Sequence, residues 1–427
     1  MKNGIVMTSI ISSGLGRLHF AQSADWLSRF GVDIRFVCGW VPKNPNNLVA
    51  QLCSWLLGRN LSAGLRKRAI SLSGGSKICA CPIAEFLSAG IFHVGGKMAK
   101  ARYSEFAADF AWRLLGWNSK RFLRRYKGRN DTVFHVRSGV GHGGAIKLAK
   151  RLGMPVIVDH SIAHPAYMEV HLRDEYVKNG EQFNLGTSSR FWRMVTEDCE
   201  WADVLLVNSF FVRDTFIEQG YPAEKIKVVY LGTRPDFFGL RTVRAINRGD
   251  RPIRLLFTGN FCFRKGAEYL LRAVRILCEQ SAISFEVDVV GSYDKRMVEQ
   301  FNVSSLPVKF HGPIPQDDLK QFLSRSDIYV FPSLAEGCAC SGMEAMAAGL
   351  CVVGTHESGF PIEDGINGCV VPGKDAQAIA HKILTLMDNP SEIDRLGAAA
   401  AELIRAKYTW EQYAENVKRI YEEMLSR

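Results

Sequence analysis

Several features are scarce or absent in this chain of 427 residues. No run of about 18 uncharged apolar residues occurs, so the sequence predicts no transmembrane helix. No segment resembles a secretory signal peptide, and we therefore expect a cytoplasmic protein. The 11 cysteines lack the paired spacing of a structural zinc site, which favours buried thiols. No Asp-x-Asp sequence is present, so a carboxylate pair for a divalent metal has no obvious source.

Acidic residues are also scarce in the first half of the chain. Residues 1–235 contain 32 Lys and Arg against 18 Asp and Glu, whereas the remainder contains 22 against 25. A basic half predicts an anionic partner, such as a phosphate-bearing substrate, an anionic lipid surface or nucleic acid. Nucleic acid is the least favoured of the three, because no recognition module is visible and basic residues do not alternate with aromatic ones.

Both halves alternate short apolar strands with longer helical stretches, a pattern typical of parallel sheets. The sequence therefore predicts an α/β protein with two Rossmann-like, doubly wound domains, one over residues 1–235 and one over 250–409. Residues 40–130 carry little strand signal, and we expect helices and loops there. A last helix over 410–427 has one apolar stripe, and we expect it to pack back on the first domain.

The most informative segment runs from the predicted strand end at Phe331 to Gly349. A Gly-containing loop follows the strand and a helix of small residues begins near Ser341, so Glu336 lies at the carboxyl edge of the sheet and Glu344 in the first helical turns. Ligands bind at that edge in open α/β sheets, and free N–H groups at a helix start can donate to phosphate or hydroxyl groups. The two carboxylates can accept hydrogen bonds from sugar and ribose hydroxyls. The residues at this helix start are Cys338, Ala339, Cys340 and Ser341.

A resemblance to a known family rests on this segment and on two others. This segment resembles the E-x7-E signature of the retaining family 4 glycosyltransferases, also called glycosyl transferases group 1. Seven residues separate Glu336 from Glu344, and Ala-Met-Ala-Ala-Gly follows. Residues 259–266 are similar to the family's G-[RQN]-x-x-x-x-K-G loop, and residues 363–372 to its D-G-x-N-G segment. The resemblance implies a GT-B fold, in which two Rossmann-like domains face each other across a cleft.

The resemblance also implies an activity. It indicates a hexosyltransferase that moves a hexose-type sugar from a nucleotide-diphosphate sugar to an acceptor, in glycoconjugate or polysaccharide biosynthesis. The donor would bind to the C-terminal domain and the acceptor on the side of the N-terminal one. No cofactor is implied, and the missing Asp-x-Asp leads us to expect an enzyme that needs no metal.

Individual roles follow from the same resemblance. Glu344 would hold the ribose, Glu336 the sugar hydroxyls, and Lys265 and Arg264 the diphosphate. Cations aimed at a departing diphosphate lower the barrier, because negative charge grows there as the glycosidic bond breaks. The loop begins with Gly259 and Asn260, and Asn260 stands where many members carry Arg, which leaves Arg264 as a substitute for that charge. A solvent-facing helix start is the alternative reading of the two cations.

A second Gly-rich loop follows the first predicted strand. Ser12–Arg17 resembles the family loop that faces the donor phosphate, with Gly14, Gly16 and Arg17 as the residues nearest to it. It is not a G-x-G-x-x-G sequence, so a dinucleotide fingerprint is poorly supported. A plain strand-to-helix turn is the alternative.

One histidine after another predicted strand resembles the family's active-site histidine. The position at the strand end favours His160, whereas a pattern of small residues followed by His favours His164. A core or capping role is the alternative for both residues.

The acceptor and its location remain open between two expectations. The basic, aromatic-containing stretch Lys97–Arg129 would suit an anionic membrane surface and a lipid-linked acceptor, on the inner face of the membrane. A soluble saccharide or small metabolite is the alternative. Another enzyme of the same fold, such as a sugar-nucleotide epimerase or a phosphorylase, is a second reading of the whole chain, and the Lys-Gly loop together with E-x7-E argues against it.

Overall fold

The computed structural model describes residues 7–14, 19–41, 70–83, 85, 87, 101–241 and 251–426. Within these ranges the chain forms two parallel β-sheets with helices between successive strands. This architecture confirms the predicted α/β class. No helix in the described ranges is both long enough and apolar enough to cross a membrane.

The first sheet has seven strands, and its order is β3-β2-β1-β4-β5-β6-β7. The inner strands are short runs of β-branched and other apolar residues that are buried on both faces, as expected for a parallel sheet covered by helices. The strands are β1 (Thr8–Ser12), β2 (Asp33–Cys38), β3 (Lys77–Ala80), β4 (Thr132–Arg137), β5 (Val156–His160), β6 (Val204–Val207) and β7 (Ile226–Val228).

The second sheet has six strands in the order β10-β9-β8-β11-β12-β13. From β8 to β10 successive strands are added in one direction, and from β11 to β13 they are added in the other. Strands β8 and β11 are adjacent and parallel, so their carboxyl ends lie side by side. An open α/β sheet binds ligands at such a switch point. The strands are β8 (Ile253–Thr258), β9 (Phe285–Val290), β10 (Val308–Gly312), β11 (Ile328–Phe331), β12 (Cys351–Thr355) and β13 (Cys369–Val371).

Helices are numbered here along the described part of the chain. The first five are α1 (Phe20–Arg29), α2 (Ala101–Leu123), α3 (Ala145–Arg151), α4 (Pro165–Lys178) and α5 (Arg190–Trp201). The others are α6 (Phe210–Ile217), α7 (Ala267–Gln280), α8 (Lys295–Gln300), α9 (Gln316–Arg325), α10 (Cys340–Ala348), α11 (Ala376–Asp388), α12 (Pro390–Lys407) and α13 (Trp410–Leu425).

The region 40–130, where helices and loops were expected, also supplies a strand. Strand β3 pairs in parallel with β2 at the edge of the first sheet. Its four residues are exposed or half-buried, so they lack the apolar run that marks the inner strands. The expectation was therefore incomplete, because an edge strand needs little apolar sequence.

The chain divides into two compact units. The first consists of Met1–His160, Thr187–Leu206 and Ala414–Arg427, and the second of Ser161–Gly186 and Val207–Tyr413. This division differs from the predicted domain bounds, because residues 161–186 and 207–235 group with the second unit.

Polar contacts within each unit join residues that are distant in sequence. At the end of α4, the Lys178 ammonium lies 3.0 Å from the Glu268 carboxylate, and the Tyr269 hydroxyl donates to Glu175 at 2.8 Å. In the first unit the hydroxyl of Tyr421, on α13, lies 2.6 Å from His135 Nδ1. Helices α4 and α13 are thus each fixed to their unit by side chains that are distant in sequence.

Candidate active site

A tight loop connects β8 to α7 in the second unit. It begins at Gly259, forms a single turn over Phe263–Lys265 and ends at Gly266, the residue before α7. Gly266 has φ +72°, and a Cβ at this position would overlap the carbonyl oxygen of Pro332. Only glycine combines this left-handed backbone with so close an approach. The loop therefore lies directly against the segment that follows β11.

Two cations of this loop meet the predicted acid of the neighbouring loop. Arg264 Nη1 lies 2.8 Å and Lys265 Nζ 3.3 Å from Glu336 Oε1. Lys265 Nζ also lies 5.0 Å from the centre of the Phe331 ring. All three charged side chains are largely buried, with exposed fractions between 13% and 20%. The structure thus brings together these three predicted residues, at the carboxyl ends of β8 and β11.

Backbone contacts hold the Glu336 loop in place. The backbone N–H of Glu336 donates to the carbonyl of Glu357 at 2.9 Å, and the Ser209 hydroxyl donates to the carbonyl of Gly337 at 2.6 Å. A Cβ at Gly337 would overlap the carbonyl oxygen of Ser161, so this position also requires glycine. The loop is packed on several sides, which fixes the position of the Glu336 carboxylate.

The start of helix α10 follows the same loop. Ala339 is the residue before the helix and its side chain is buried, as is that of Cys338, whereas Cys340 is exposed. The Ser341 hydroxyl accepts a hydrogen bond from the hydroxyl of Tyr329 at 2.9 Å. The side chains of Cys338 and Ala339 thus serve packing, and the backbone N–H groups of the segment are the donors of a helix N-terminus.

Glu344 lies in α10 and is half-buried. Burial raises the pKa of its carboxyl from 4.5 to about 7. Gln316 Nε2 donates to Glu344 at 3.3 Å, and Gln316 Oε1 accepts from Arg234 Nη1 at 2.6 Å. Sequence reasoning missed Gln316 and Arg234, because each comes from a different segment and neither carries a local motif.

Asn260 makes a different contact from its neighbours in the loop. Its Oδ1 accepts a hydrogen bond from the Ser292 hydroxyl at 2.9 Å. Gly259 has φ +117°, and a Cβ there would lie 3.2 Å from Lys265 Nζ. Gly259 therefore leaves space for the lysine, and Asn260 is anchored to the loop after β9.

The predicted phosphate loop of the first unit is described only at its start. Gly14 follows β1 with φ +73°, and a Cβ there would lie 2.8 Å from the Trp112 ring. Gly16 and Arg17 lie outside the described residues. The described part requires glycine at Gly14, because the backbone is left-handed and a ring fills the space beside it.

The two candidate histidines differ in position and in partners. His160 ends β5 in the first unit, is buried, and has its Nδ1 2.9 Å from the Ser138 hydroxyl. His164 belongs to the second unit and caps α4, because its Nδ1 accepts a hydrogen bond from the backbone N–H of Ala166 at 3.1 Å. Burial lowers the pKa of His164 to about 4, so its ring is neutral at pH 7.

A buried carboxylate beside His160 was not foreseen. Asp159 Oδ2 lies 3.0 Å from His19 Nε2 and 3.4 Å from His135 Nε2. Burial opposes ionisation of Asp159, but the two histidines outweigh this effect and lower the pKa of the carboxyl. No sequence spacing could have shown this group, because His19 and Asp159 are 140 positions apart.

In the part of the chain that the structure describes, no group of three His, Cys, Asp or Glu side chains is arranged so that it could hold a metal ion, and this includes the group of Asp159. The expectation of metal independence remains a prediction.

Comparisons with known proteins match both halves of the chain. The family model described as "Glycosyltransferase Family 4" matches residues 96–237, and the model described as "Glycosyl transferases group 1" matches residues 252–389. The amylovoran biosynthesis glycosyltransferase AmsK of Erwinia amylovora is 32% identical over 235 residues, which is 51% of this chain and 56% of that protein. The putative colanic acid biosynthesis glycosyltransferase WcaL of Salmonella typhimurium is 31% identical over 176 residues, 38% of this chain and 42% of that protein. The chain thus spans about half the length of these curated relatives.

Solved structures share the fold over nearly the whole chain. The crystal structure of Anabaena Alr3699/HepE in complex with UDP and glucose superposes with a TM-score of 0.62, covering 98% of this chain and all of that one at 14% identity. A sucrose-phosphate synthase from Thermosynechococcus elongatus superposes with a TM-score of 0.64 over 98% of this chain and 99% of that one, at 17% identity. At these identities the likeness establishes the fold.

Proposed function

The chain belongs to the family 4, group 1 glycosyltransferases of GT-B fold, and on that premise we propose that it is a retaining hexosyltransferase that uses a nucleotide-diphosphate sugar. The observation that carries the proposal is the cluster of Glu336, Arg264 and Lys265 at the carboxyl edge of the second sheet. Glycosyl transfer from a nucleotide sugar is also supported by the relatives AmsK and WcaL, which are described as biosynthesis glycosyltransferases, and by the complex of HepE with UDP and glucose. We propose glycoconjugate or polysaccharide biosynthesis as its role.

The charge balance of the cluster suits a diphosphate leaving group. Glu336 pairs with both cations, at 2.8 Å from Arg264 and 3.3 Å from Lys265, and its single negative charge leaves the cluster with a net positive charge. A donor diphosphate would bind to the two cations in place of Glu336, and the N–H groups at the start of α10 would donate hydrogen bonds to its oxygens. The carboxylate of Glu336 would then accept hydrogen bonds from hydroxyls of the sugar.

The ribose of the donor would bind at Glu344. An ionised carboxylate accepts hydrogen bonds from two neighbouring hydroxyls, and Gln316 keeps this carboxylate in a fixed orientation. Because burial raises the pKa of Glu344 to about 7, hydroxyl donors that bind the ionised form would lower that pKa again.

We further propose His160 rather than His164 as the histidine near the reacting carbon. His164 uses its Nδ1 to cap α4, so this nitrogen serves the fold of its own segment. His160 lies at the end of β5, the edge at which parallel sheets bind ligands. The incoming hydroxyl would attack on the face that the diphosphate leaves, and a phosphate oxygen would accept its proton.

A donor screen followed by a product assay tests the proposed function. The protein would first be screened by thermal shift against UDP, GDP and ADP, because a ligand that binds the folded state raises the unfolding temperature. The sugar nucleotides of the best diphosphate would then be incubated with saccharide and lipid-linked acceptors, and the anomeric configuration of the product determined by NMR. An inverted product, or epimerised donor without transfer, would contradict the proposal.

A membrane surface is proposed as the place where a lipid-linked acceptor is met. On α2 the exposed side chains Arg113, Trp117 and Arg121 follow one another at four-residue spacing and so share one face, and 63% of Trp117 is exposed. Arginines attract anionic lipid heads and tryptophan suits the interfacial layer.

Co-sedimentation with vesicles tests this membrane proposal. Vesicles that contain phosphatidylserine should sediment the protein at physiological salt, whereas neutral phosphatidylcholine vesicles should not. The double variant Trp117→Ala, Arg121→Glu should lose the binding, and equal sedimentation with both kinds of vesicle would contradict the proposal.

A further inference from the structure

A cavity of the second unit lies apart from the cluster of Glu336, Arg264 and Lys265. It has a volume of about 230 Å³ and is bounded by the start of α6, by the segment that follows β12, and by the end of α12. Its lining includes Phe210, Tyr230, Phe360 and Tyr408. None of these four residues contributes to the donor-binding groups described above.

The cavity has an aromatic floor and a polar rim. Tyr230 and Phe360 are 8% and 9% exposed, whereas Phe210 at the rim is 50% exposed. The ring centres of Phe210 and Tyr230 lie 6.0 Å apart, and those of Tyr230 and Tyr408 lie 5.0 Å apart. The exposed polar residues of the rim are His356, Glu363 and Lys407.

This composition selects one class of ligand. A purely apolar ligand would leave the carboxylate of Glu363 and the ammonium of Lys407 without compensation for the water that it displaces. An anion is also disfavoured, because one acidic and one basic side chain at the rim cancel each other. A neutral pyranose fits both parts, since its C–H face packs on aromatic rings while its hydroxyls pair with charged side chains.

The cavity is separated from the donor-binding loop by a thin wall. A Cβ at Gly359 would overlap the carbonyl oxygen of Gly337, and a Cβ at Gly342 would overlap the Phe360 ring. Gly359 and Phe360 therefore line the cavity on one side and pack on the Glu336 loop and helix α10 on the other. A ligand in the cavity would contact the wall without displacing Glu336, Arg264 or Lys265.

We propose that this cavity, called here the aromatic pocket, is an auxiliary saccharide subsite that binds one neutral sugar unit of an acceptor or product chain. The choice of a saccharide as the occupant rests on the proposed function. Sugar binding at the site does not require the donor, because the groups that would contact the sugar are the rings of Phe210 and Tyr408 and the Glu363 carboxylate.

Saturation-transfer NMR with neutral sugars tests the aromatic pocket. The probes are methyl β-D-glucoside, methyl β-D-galactoside, cellobiose and lactose at millimolar concentration, and the protein is the full chain without donor. At least one probe should receive saturation on its C–H protons. Phe210→Ala should weaken its binding about tenfold, the value expected for the loss of one well-packed ring. Glu363→Gln, an exposed change that spares the core, should also weaken it, severalfold.

A matched control is Trp201→Ala, which removes an exposed ring that likewise carries a cation on its face. Trp201 is 47% exposed with Lys147 Nζ at 5.2 Å, and Phe210 is 50% exposed with the Arg213 guanidinium at 4.7 Å. Equal saturation in wild type, Phe210→Ala and Glu363→Gln would overturn the proposal, as would binding of benzyl alcohol without any sugar. Phe210-dependent sugar binding without transferase activity would leave the subsite standing and refute only the proposed function.

Discussion

The raised pKa of Glu344 predicts opposite effects of one substitution on binding and on stability. Burial raises this pKa from 4.5 to about 7, so the carboxyl changes charge within the ordinary working range of pH. If the ionised form binds the ribose, donor binding should strengthen as the pH rises through 7. With a pKa near 7, the ionised fraction rises about tenfold between pH 6 and pH 8, and the Kd of a nucleoside diphosphate should fall by the same factor.

Stability should follow the reverse direction. In the unfolded chain the group loses its proton near pH 4.5, whereas the folded protein keeps it until about pH 7. Folding stability from this group is therefore fully present below pH 4.5 and is lost as the pH rises towards 7. The shift corresponds to at most about 3 kcal/mol. Because Glu344 is partly exposed to solvent, we expect about 1 kcal/mol.

The substitution Glu344→Gln separates the two effects, because glutamine has nearly the same shape and does not ionise. At pH 8 the variant should bind the diphosphate more weakly than wild type and yet unfold at a higher urea concentration. At pH 4.5 the two proteins should unfold at the same concentration. Calorimetric titration with the best of UDP, GDP and ADP gives the Kd at pH 6, 7 and 8. A Kd that is flat over this range, or a variant destabilised equally at both pH values, would refute the reasoning.

Three further predictions follow from the same unit. Lys265→Ala should lower the rate of transfer by about 10²–10³, the loss expected for one preorganised electrostatic contact, while Lys309→Ala, an exposed lysine 2.9 Å from Glu286, should leave initial rates unchanged. Gly266→Ala should lower the free energy of unfolding by well over ~1 kcal/mol, because the new Cβ would overlap Pro332. Gly312 has φ +66° and nothing within 4 Å of a new Cβ, so Gly312→Ala should lower the free energy of unfolding by only about 1 kcal/mol. Equal losses in urea titrations would contradict this account. Initial rates should be the same with and without excess EDTA, and loss of activity that Mg²⁺ or Mn²⁺ restores would show a metal requirement.

The sequence predicted well what local patterns determine. Strands β8 and β11 are short and mostly apolar, and Lys265 and Glu336 lie in the loops that follow them. Because adjacent parallel strands end at the same edge, two sequence-local observations were enough to place these side chains together. The ion pairs at 2.8 and 3.3 Å agree with that expectation.

Other features depend on contacts that no local pattern records. The network of Asp159 joins the residue before α1 with residues from β4 and β5. The chain from Glu344 to Gln316 and Arg234 likewise crosses three separate segments. The choice between His160 and His164 stayed open in the sequence, because no local pattern records the hydrogen bond by which the His164 side chain caps α4. These residues become recognisable only after the strands have been placed in order.

The discontinuous second unit has a consequence for protein engineering. The chain passes from one unit to the other after His160, Gly186, Leu206 and Tyr413, so neither unit is a single stretch of sequence. A chimeric enzyme joined at one point near residue 240 would graft α7 without the α4 helix whose lysine and glutamate pair with it. A successful exchange of donor specificity within this family should therefore transplant residues 161–186 together with 207–413.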